Sequence, residues 1–261
     1  MENPSRKLIL ITNDDSVNAL GIHHLADCVK SMGDVYVVAP AHPHSGQSSA
    51  LSINVPLRIT ELPARSEGVR LFTVNGTPVD CVKLALANIL PRRPDIVFAG
   101  INHGSNAGIN VIYSGTMGAV LEGCLEGIPS VGFSLMHHSM KADFSLSTAF
   151  VAAIAGVVLD GGLPEGICLN VNIPAKVLPK GIKVCRAARG YWTDSYQRYL
   201  DPTGMPFYML SGRFVNLEPD ADDTDEYWLE RGYISIVPVS TDQTAHDAIK
   251  QLAIRMAELN G

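Results

Sequence analysis

Lys7-Leu8-Ile9-Leu10-Ile11-Thr12-Asn13-Asp14-Asp15 is a short apolar run that stops abruptly at three polar residues. Leu8 to Ile11 lack the apolar–polar alternation of a strand with one wet face, so the segment reads as a strand buried on both sides. Beyond it, Ile22, Leu25, Val29 and Met32 recur at spacings of three and four, the stripe of a helix. Val35 to Ala39 is a second strand, closed by Pro40, and Val69 to Val74 is a third. Thr77-Pro78-x-Asp80 then opens a helix, with a Thr N-cap, Pro at the first helical position and an acid in the first turn. Val79, Val82, Leu86 and Ile89 form its apolar face. Asp95 to Ala99 is a strand followed by a Gly/Asn-rich loop, and a helix begins near Ser114. Ser130 to Leu135 is one more strand and Thr148 to Leu159 one more helix. Strands apolar on both faces, alternating with helices, specify a doubly wound α/β domain with a mostly parallel sheet.

The rhythm changes after about residue 160. Ile167–Val171, Ile182–Cys185, Phe207–Leu210 and Tyr233–Val237 have strand character, but the segments between them are polar and irregular. Asp201-Pro202-Thr203-Gly204 is a turn sequence flanked by Tyr196, Tyr199, Phe207 and Tyr208, which predicts a projecting hairpin over about 186–212. A closing helix carries Ile249, Leu252, Met256 and Leu259 on one face. The expected division is an α/β catalytic core over 1–160 and a C-terminal part over 161–261.

Composition narrows the function classes. With 261 residues, 46% hydrophobic and 18% charged, the chain has the make-up of a protein with a core, not of a disordered one. A net charge of −6 provides neither the basic footprint of a nucleic-acid duplex binder nor a polybasic membrane patch. Five dispersed Cys without a Cys-x-x-Cys pair read as reduced thiols of a cytoplasmic protein. The apolar run behind Arg6 and Lys7 is too short for a signal peptide, and Ala149–Leu159 is about half of the ~20 residues needed to span a bilayer.

Four segments carry candidate chemistry. Asn13-Asp14-Asp15 sits at the C-terminal end of the first strand, the edge where open parallel sheets bind ligands. Two adjacent carboxylates repel unless a cation or proton lies between them, and oxygen-only donors suit Mg²⁺ or Mn²⁺ rather than zinc. Capping of the following helix by either Asp is the alternative reading. After the second strand comes Ala39-Pro40 with Ser45-Gly46, a loop whose small hydroxyl residue can approach an ion or phosphate, or be an ordinary polar loop. Gly100-Ile101-Asn102-His103-Gly104-Ser105-Asn106-Ala107-Gly108 holds three Gly and two Asn, a backbone able to bring amides against a ligand. Tyr113-Ser114-Gly115-Thr116 begins a helix, whose free N–H groups and positive end attract anions. Neither a Gly-x-x-x-x-Gly-Lys-Ser/Thr loop nor a Gly-x-Gly-x-x-Gly after the first strand is present. Together the four make the layout of a metal-dependent phosphate-handling site.

These segments resemble the SurE family, the survival protein E nucleotidases and acid phosphatases. The likeness is carried by Ile9–Asp15, Val38-Ala39-Pro40 with Ser45-Gly46, Gly76–Val82, Gly100–Gly108 and Tyr113–Ala119. Asp201-Pro202-x-Gly204, Thr224-Asp225 and Gly232–Pro238 extend it through the distal half. The resemblance implies a Rossmann-like domain with an extended C-terminal arm that swaps between subunits of a homodimer or homotetramer. It implies one divalent metal ion per subunit, Mg²⁺ or Mn²⁺, on Asp14, Asp15, Ser45 and Asn102. Asn106, Ser114, Gly115 and Thr116 fall on the phosphate-contacting positions. The expected substrate is a nucleoside monophosphate, cleaved at its 5′- or 3′-ester. Asp14 and Asn106 are the expected catalytic residues, Asp14 as acceptor of a proton from the attacking water. A broad phosphomonoesterase or exopolyphosphatase, and a sensor without turnover, are the rival readings. Two departures from the family pattern are His42-Pro43-His44 before Ser45, and Asn110 where an Asp is common.

Other groups weigh less. His23-His24 lie in a helix pattern, where neighbours point about 100° apart and do not share an ion, and His137-His138 lie in a polar loop. His44 is the one histidine placed to donate a proton or touch phosphate. The run Glu218 to Glu230, with seven carboxylates, reads as a solvated loop rather than a second metal site. Aromatics between Tyr191 and Tyr208 either stack a base or pack an arm against a neighbouring subunit.

Overall fold

In β1 (Lys7–Thr12) every side chain after Lys7 is buried, and the alternation sends them to two different cores. Ile9 and Ile11 join the layer on one face of the sheet, while Leu8 and Leu10 join the layer on the other. The computed structural model describes residues 6–63, 65–139, 141–193, 195–257 and 259. Helices α1 (Leu20–Val29) and α4 (Thr148–Gly161) cover the first face. Helices α2 (Pro78–Leu84) and α3 (Gly115–Leu125) cover the second.

The strands are β2 (Gly33–Pro40), β3 (Ile59–Leu62), β4 (Val69–Val74), β5 (Ile96–His103), β6 (Ser130–Leu135) and β7 (Ile167–Ile173), with β8 (Ile182–Val184) and, later in the chain, β13 (Ile234–Ser240). With β1 they form a nine-stranded sheet in the order β3-β4-β2-β1-β5-β6-β7-β13-β8. From β4 to β7 all pairings are parallel, while β3 and β13 run antiparallel to β4 and β7. The chain therefore proceeds outward from β1 through β2 and then returns through β5. That reversal opens a crevice at the C-terminal ends of β1 and β5, where such sheets bind ligands. The doubly wound reading is correct, and strands of the distal segment extend the same sheet.

Local signals account for the helix starts. Thr77 and Asp80 form a reciprocal capping box with Pro78 at the first helical position, and Ser114 caps α3 by accepting from Met117 N–H. Of the expected α2 face, Val79 and Val82 are buried; Leu86 and Ile89 lie in a wider turn that follows and are half-buried.

Two expectations need correction. Gly100 to His103, read as loop, continue β5, whose pairing with β6 shifts register between Ala99 and Asn102. Strand β6 supplies, at Asn102 and His103, the ladder that the local composition disfavours. Gly100 takes φ +124°, and a Cβ there would sit 2.3 Å from Phe133 O, so only glycine fits. The acidic run is not wholly a solvated loop either. It contains α5 (Asp225–Glu230), capped by Thr224, and Asp225 is fully buried. Its carboxylate accepts N–H bonds from Gly108 (2.8 Å), Ala188 (2.8 Å) and Glu226 (2.8 Å), which offset the cost of burying the charge. Arg186 bonds Asp223 (2.8 Å) and Glu218, bringing to the run the base that it lacks.

The hairpin forms as expected from β10 (Ser195–Leu200) and β11 (Pro206–Ser211), after β9 (Gly190–Trp192), which pairs with β12 (Phe214–Asn216). Asp201 Oδ1 closes its turn by accepting from Thr203 N–H (2.8 Å) and Met205 N–H (3.0 Å). Helix α6 (His246–Ala257) has no buried residue among those described, and Leu259 lies just past its end. All five cysteines are free, and no described helix is long and apolar enough to cross a membrane.

Candidate active site

Thr12, the last residue of β1, lies opposite Ala99, so Asn13–Asp15 emerge beside the Gly100–His103 stretch of β5. Asp14 and Asp15 are both buried there. Neither caps α1: the N-cap position is Ala19, without a side-chain bond, which removes the capping alternative.

Each carboxylate has its own support. Asp14 Oδ1 accepts the Thr116 hydroxyl at 2.6 Å. Gly115 packs so closely that a Cβ there would sit 2.8 Å from Asp14 Cβ. The N-terminal turn of α3 thus rests on Asp14, where its positive end favours a negative charge. Burial, and then the charge of Asp15, push the Asp14 carboxyl up to about 6, with the Thr116 hydrogen bonds opposing. Asp15 Oδ2 accepts two bonds from His103, from its backbone N–H (3.0 Å) and its Nδ1 (2.9 Å). The His103 ring stands edge-on to Phe144 at 5.2 Å, and its Nε2 is buried without a hydrogen-bond partner among the described residues.

The neighbouring loops are tied to this pair. His44 N–H donates to Asp14 O at 2.8 Å, which sets the exposed Ser45 beside the acid. Ser48 bonds Tyr113 O (3.1 Å) and Ile112 O (2.7 Å), fastening the same loop to the approach of α3. The His44 side chain bonds Gln47 at 2.8 Å. On β5, Asn102 Nδ2 donates to Gly104 O at 3.0 Å, which directs its amide nitrogen away and leaves the oxygen as an acceptor.

The residues present fit a hard divalent cation. Their donors are oxygens, Asp14 holds its proton more firmly than an ordinary carboxyl, and Asn13 Oδ1 beside them is buried with no hydrogen-bond partner among the described residues. No group of three or more His, Cys, Asp and Glu lies close enough to hold a metal among the described residues.

The other expected positions are placed differently from one another. Asp14, Gly115 and Thr116 touch directly, whereas Asn106 is held by β6 and β7. Its Nδ2 donates to Ser134 Oγ (2.8 Å), its N–H to Asn172 Oδ1 (2.8 Å), and its carbonyl accepts from Asn170 Nδ2 (2.8 Å). Ser114 Oγ accepts from Met117 N–H at 3.0 Å, and Thr116 Oγ1 serves Asp14, so both hydroxyls have protein partners. Sequence reasoning gave no role at the site to His103, the Asn170–Asn172–Ser134 cradle or Asp225. The visible signals were the placement of His103 inside the Gly/Asn-rich segment and of Asp225 in the Thr224-Asp225 pair of the resemblance.

Comparison with known proteins identifies the family. The family model described as survival protein SurE matches residues 9–194. The chain is 45% identical to the 5′-nucleotidase SurE of Phocaeicola vulgatus, over 95% of this chain and 96% of that protein. It is 47% identical to the 5′-nucleotidase SurE of Christiangramia forsetii, over 96% and 97%. Among solved structures, the SurE protein of Aquifex aeolicus superposes with a TM-score of 0.79 at 34% identity, covering 94% of this chain and 97% of that one. The chain belongs to the survival protein SurE family.

Proposed function

We propose that this chain is a divalent-metal-dependent nucleotidase that hydrolyses 5′- or 3′-nucleoside monophosphates to nucleoside and phosphate. The observation that carries the reading is the buried Asp14–Asp15 pair facing the N-terminus of α3 at the switch point of the sheet. The 5′-nucleotidase relatives support a phosphoric monoester hydrolase.

Asp14, Asp15, Ser45 and Asn102 would hold one Mg²⁺ or Mn²⁺. Such an ion neutralises phosphoryl oxygens and polarises the ester. The chain's own residues bind, orient and move the proton. Asp15 is held by His103 at the crevice floor. The N–H groups at the start of α3 and the Asn106 amide receive the anionic oxygens and stabilise charge as it develops. Asp14 accepts the proton of the attacking water, and Thr116 orients it for that role. We place the protein in the cytoplasm as a homodimer or homotetramer built by arm exchange. Free cysteines, four of them buried, and the exposed apolar hairpin support that placement.

Phosphate release from a panel of nucleoside monophosphates, with Mg²⁺, Mn²⁺ or EDTA, tests the reading on wild type and Asp15→Asn. Metal-dependent release that is lost in the variant is expected. Equal rates on polyphosphate and non-nucleotide esters would assign a broad phosphatase. No release by folded protein with either metal would assign a sensor.

A further inference from the structure

We infer that His103 is a positioning residue for Asp15: it occupies one carboxyl oxygen, Oδ2, so that the acid offers Oδ1 to a divalent ion. The inference rests on the metal-dependent reading proposed above and names the group that sets one ligand's orientation.

His103 reaches Asp15 twice. Its backbone N–H lies 3.0 Å from Oδ2, and its ring Nδ1 lies 2.9 Å from the same atom. A carboxyl oxygen has two lone-pair sites, and these two donors fill both. Among the described residues no hydrogen bond falls on Oδ1. Asp14 gives its Oδ1 to the Thr116 hydroxyl, so each acid of the pair commits one oxygen to the protein.

The imidazole is held where it stands. Its side chain is 2% exposed and meets Phe144 edge-on at 5.2 Å. Phe144 is fixed in turn, because its carbonyl accepts from Ser147 N–H (2.9 Å) and Ser147 Oγ (2.6 Å). Helix α1 closes over the Phe144 ring: His24 stacks on it at 5.6 Å, and a Cβ at Gly21 would come within 3.2 Å of its tip.

Burial separates this role from two others. A ring so enclosed does not touch substrate, so His103 acts through Asp15 and is not a catalytic residue. A side chain present for packing alone would bury no polar atom, whereas His103 Nε2 is buried without a partner among the described residues. The bond to Asp15 is what the ring gains there. His103 also follows Asn102 directly, so the end of β5 carries one candidate ligand and the group that orients a second. Hydrogen-bonded neighbours of this kind hold a metal ligand in its binding geometry.

The test is calorimetric titration of metal-free protein with Mn²⁺, on wild type, His103→Phe and His103→Asn. His103→Phe keeps a flat ring against Phe144 and removes the Nδ1 donor. His103→Asn gives up the ring and keeps an amide N–H near the Nδ1 position. Mn²⁺ binding about 10- to 100-fold weaker is expected in His103→Phe, and largely restored binding in His103→Asn. Wild-type affinity in His103→Phe overturns the inference, and so does failure of His103→Asn to restore binding. Should neither variant fold, ¹⁵N NMR of the histidine rings in wild type decides. A proton on His103 Nδ1 is expected, and a ring protonated at Nε2 alone overturns the inference. If folded wild type binds neither Mn²⁺ nor Mg²⁺, the metal-dependent reading itself fails and the inference falls with it.

Discussion

Thr116 donates its hydroxyl to Asp14 Oδ1 across 2.6 Å, joining two residues 102 positions apart. The bond couples the start of α3 to the end of β1, so the helix that supplies anion-binding N–H groups also orients the acid. Thr116→Val removes the donor and keeps the shape. The loss of a hydrogen bond to a buried carboxylate, about 1.5–3 kcal/mol, should appear as weaker metal binding or slower turnover. Thr116→Ser should restore most of it, as measured by metal titration and steady-state kinetics.

Gly115 has no room for a side chain, since its Cβ would lie 2.8 Å from Asp14 Cβ and 3.0 Å from Asp14 Oδ2. Gly115→Ala should therefore displace Asp14, cutting kcat/KM by more than about tenfold while the protein stays folded. A 1 Å misplacement in such sites costs about 100-fold. Circular dichroism and kinetics on one preparation separate the two effects.

The pH dependence of metal-free stability follows from Asp14. Its folded value, about 6, exceeds the ordinary 3.8, so folding favours the protonated form. That contribution is present below the unfolded value and is lost as pH rises through about 6. A rise from 3.8 to about 6 corresponds to roughly 3 kcal/mol. In EDTA, Asp14→Asn should be more stable than wild type at pH 8 and lose that advantage by pH 4. Thermal unfolding across this range checks it.

Glu226 behaves with the same sign at a different place in the fold. Burial first, then Asp225 and Glu230, push its carboxyl up to about 7. Its favourable contribution disappears as pH rises through about 7. Glu226→Gln should raise Tm at pH 8.5 and leave it nearly unchanged at pH 4, and differential scanning calorimetry reads both.

Asp225 ties Gly108 of the Asn-rich segment to Ala188 of the distal half. Removing its carboxylate orphans two buried N–H donors, of Gly108 and Ala188, and the part-buried N–H of Glu226. Asp225→Ala should destabilise the protein by about 3–5 kcal/mol in urea unfolding. Asp225→Asn, which keeps one acceptor oxygen, should lose less.

The α/β class was legible in the chain before any contact was known, because burial on both faces removes alternation from Leu8–Ile11 and leaves a local record. The starts of α2 and α3 were legible too, since capping acts over three or four residues. So were the strand-end position of Asp14 and Asp15 and the turn at Asp201. Polar contacts between distant segments were not: His103 on Asp15, Thr116 on Asp14, Asp225 under Gly108, and Trp192 against Asn110 all emerge with the assembled fold. Gly100–His103 became strand only because β6 pairs with it at Asn102 and His103. A hydrogen bond between residues 80 to 120 apart imposes no period and no composition on the chain near either partner. Such pairs exist only once the sheet order has brought the strand ends together.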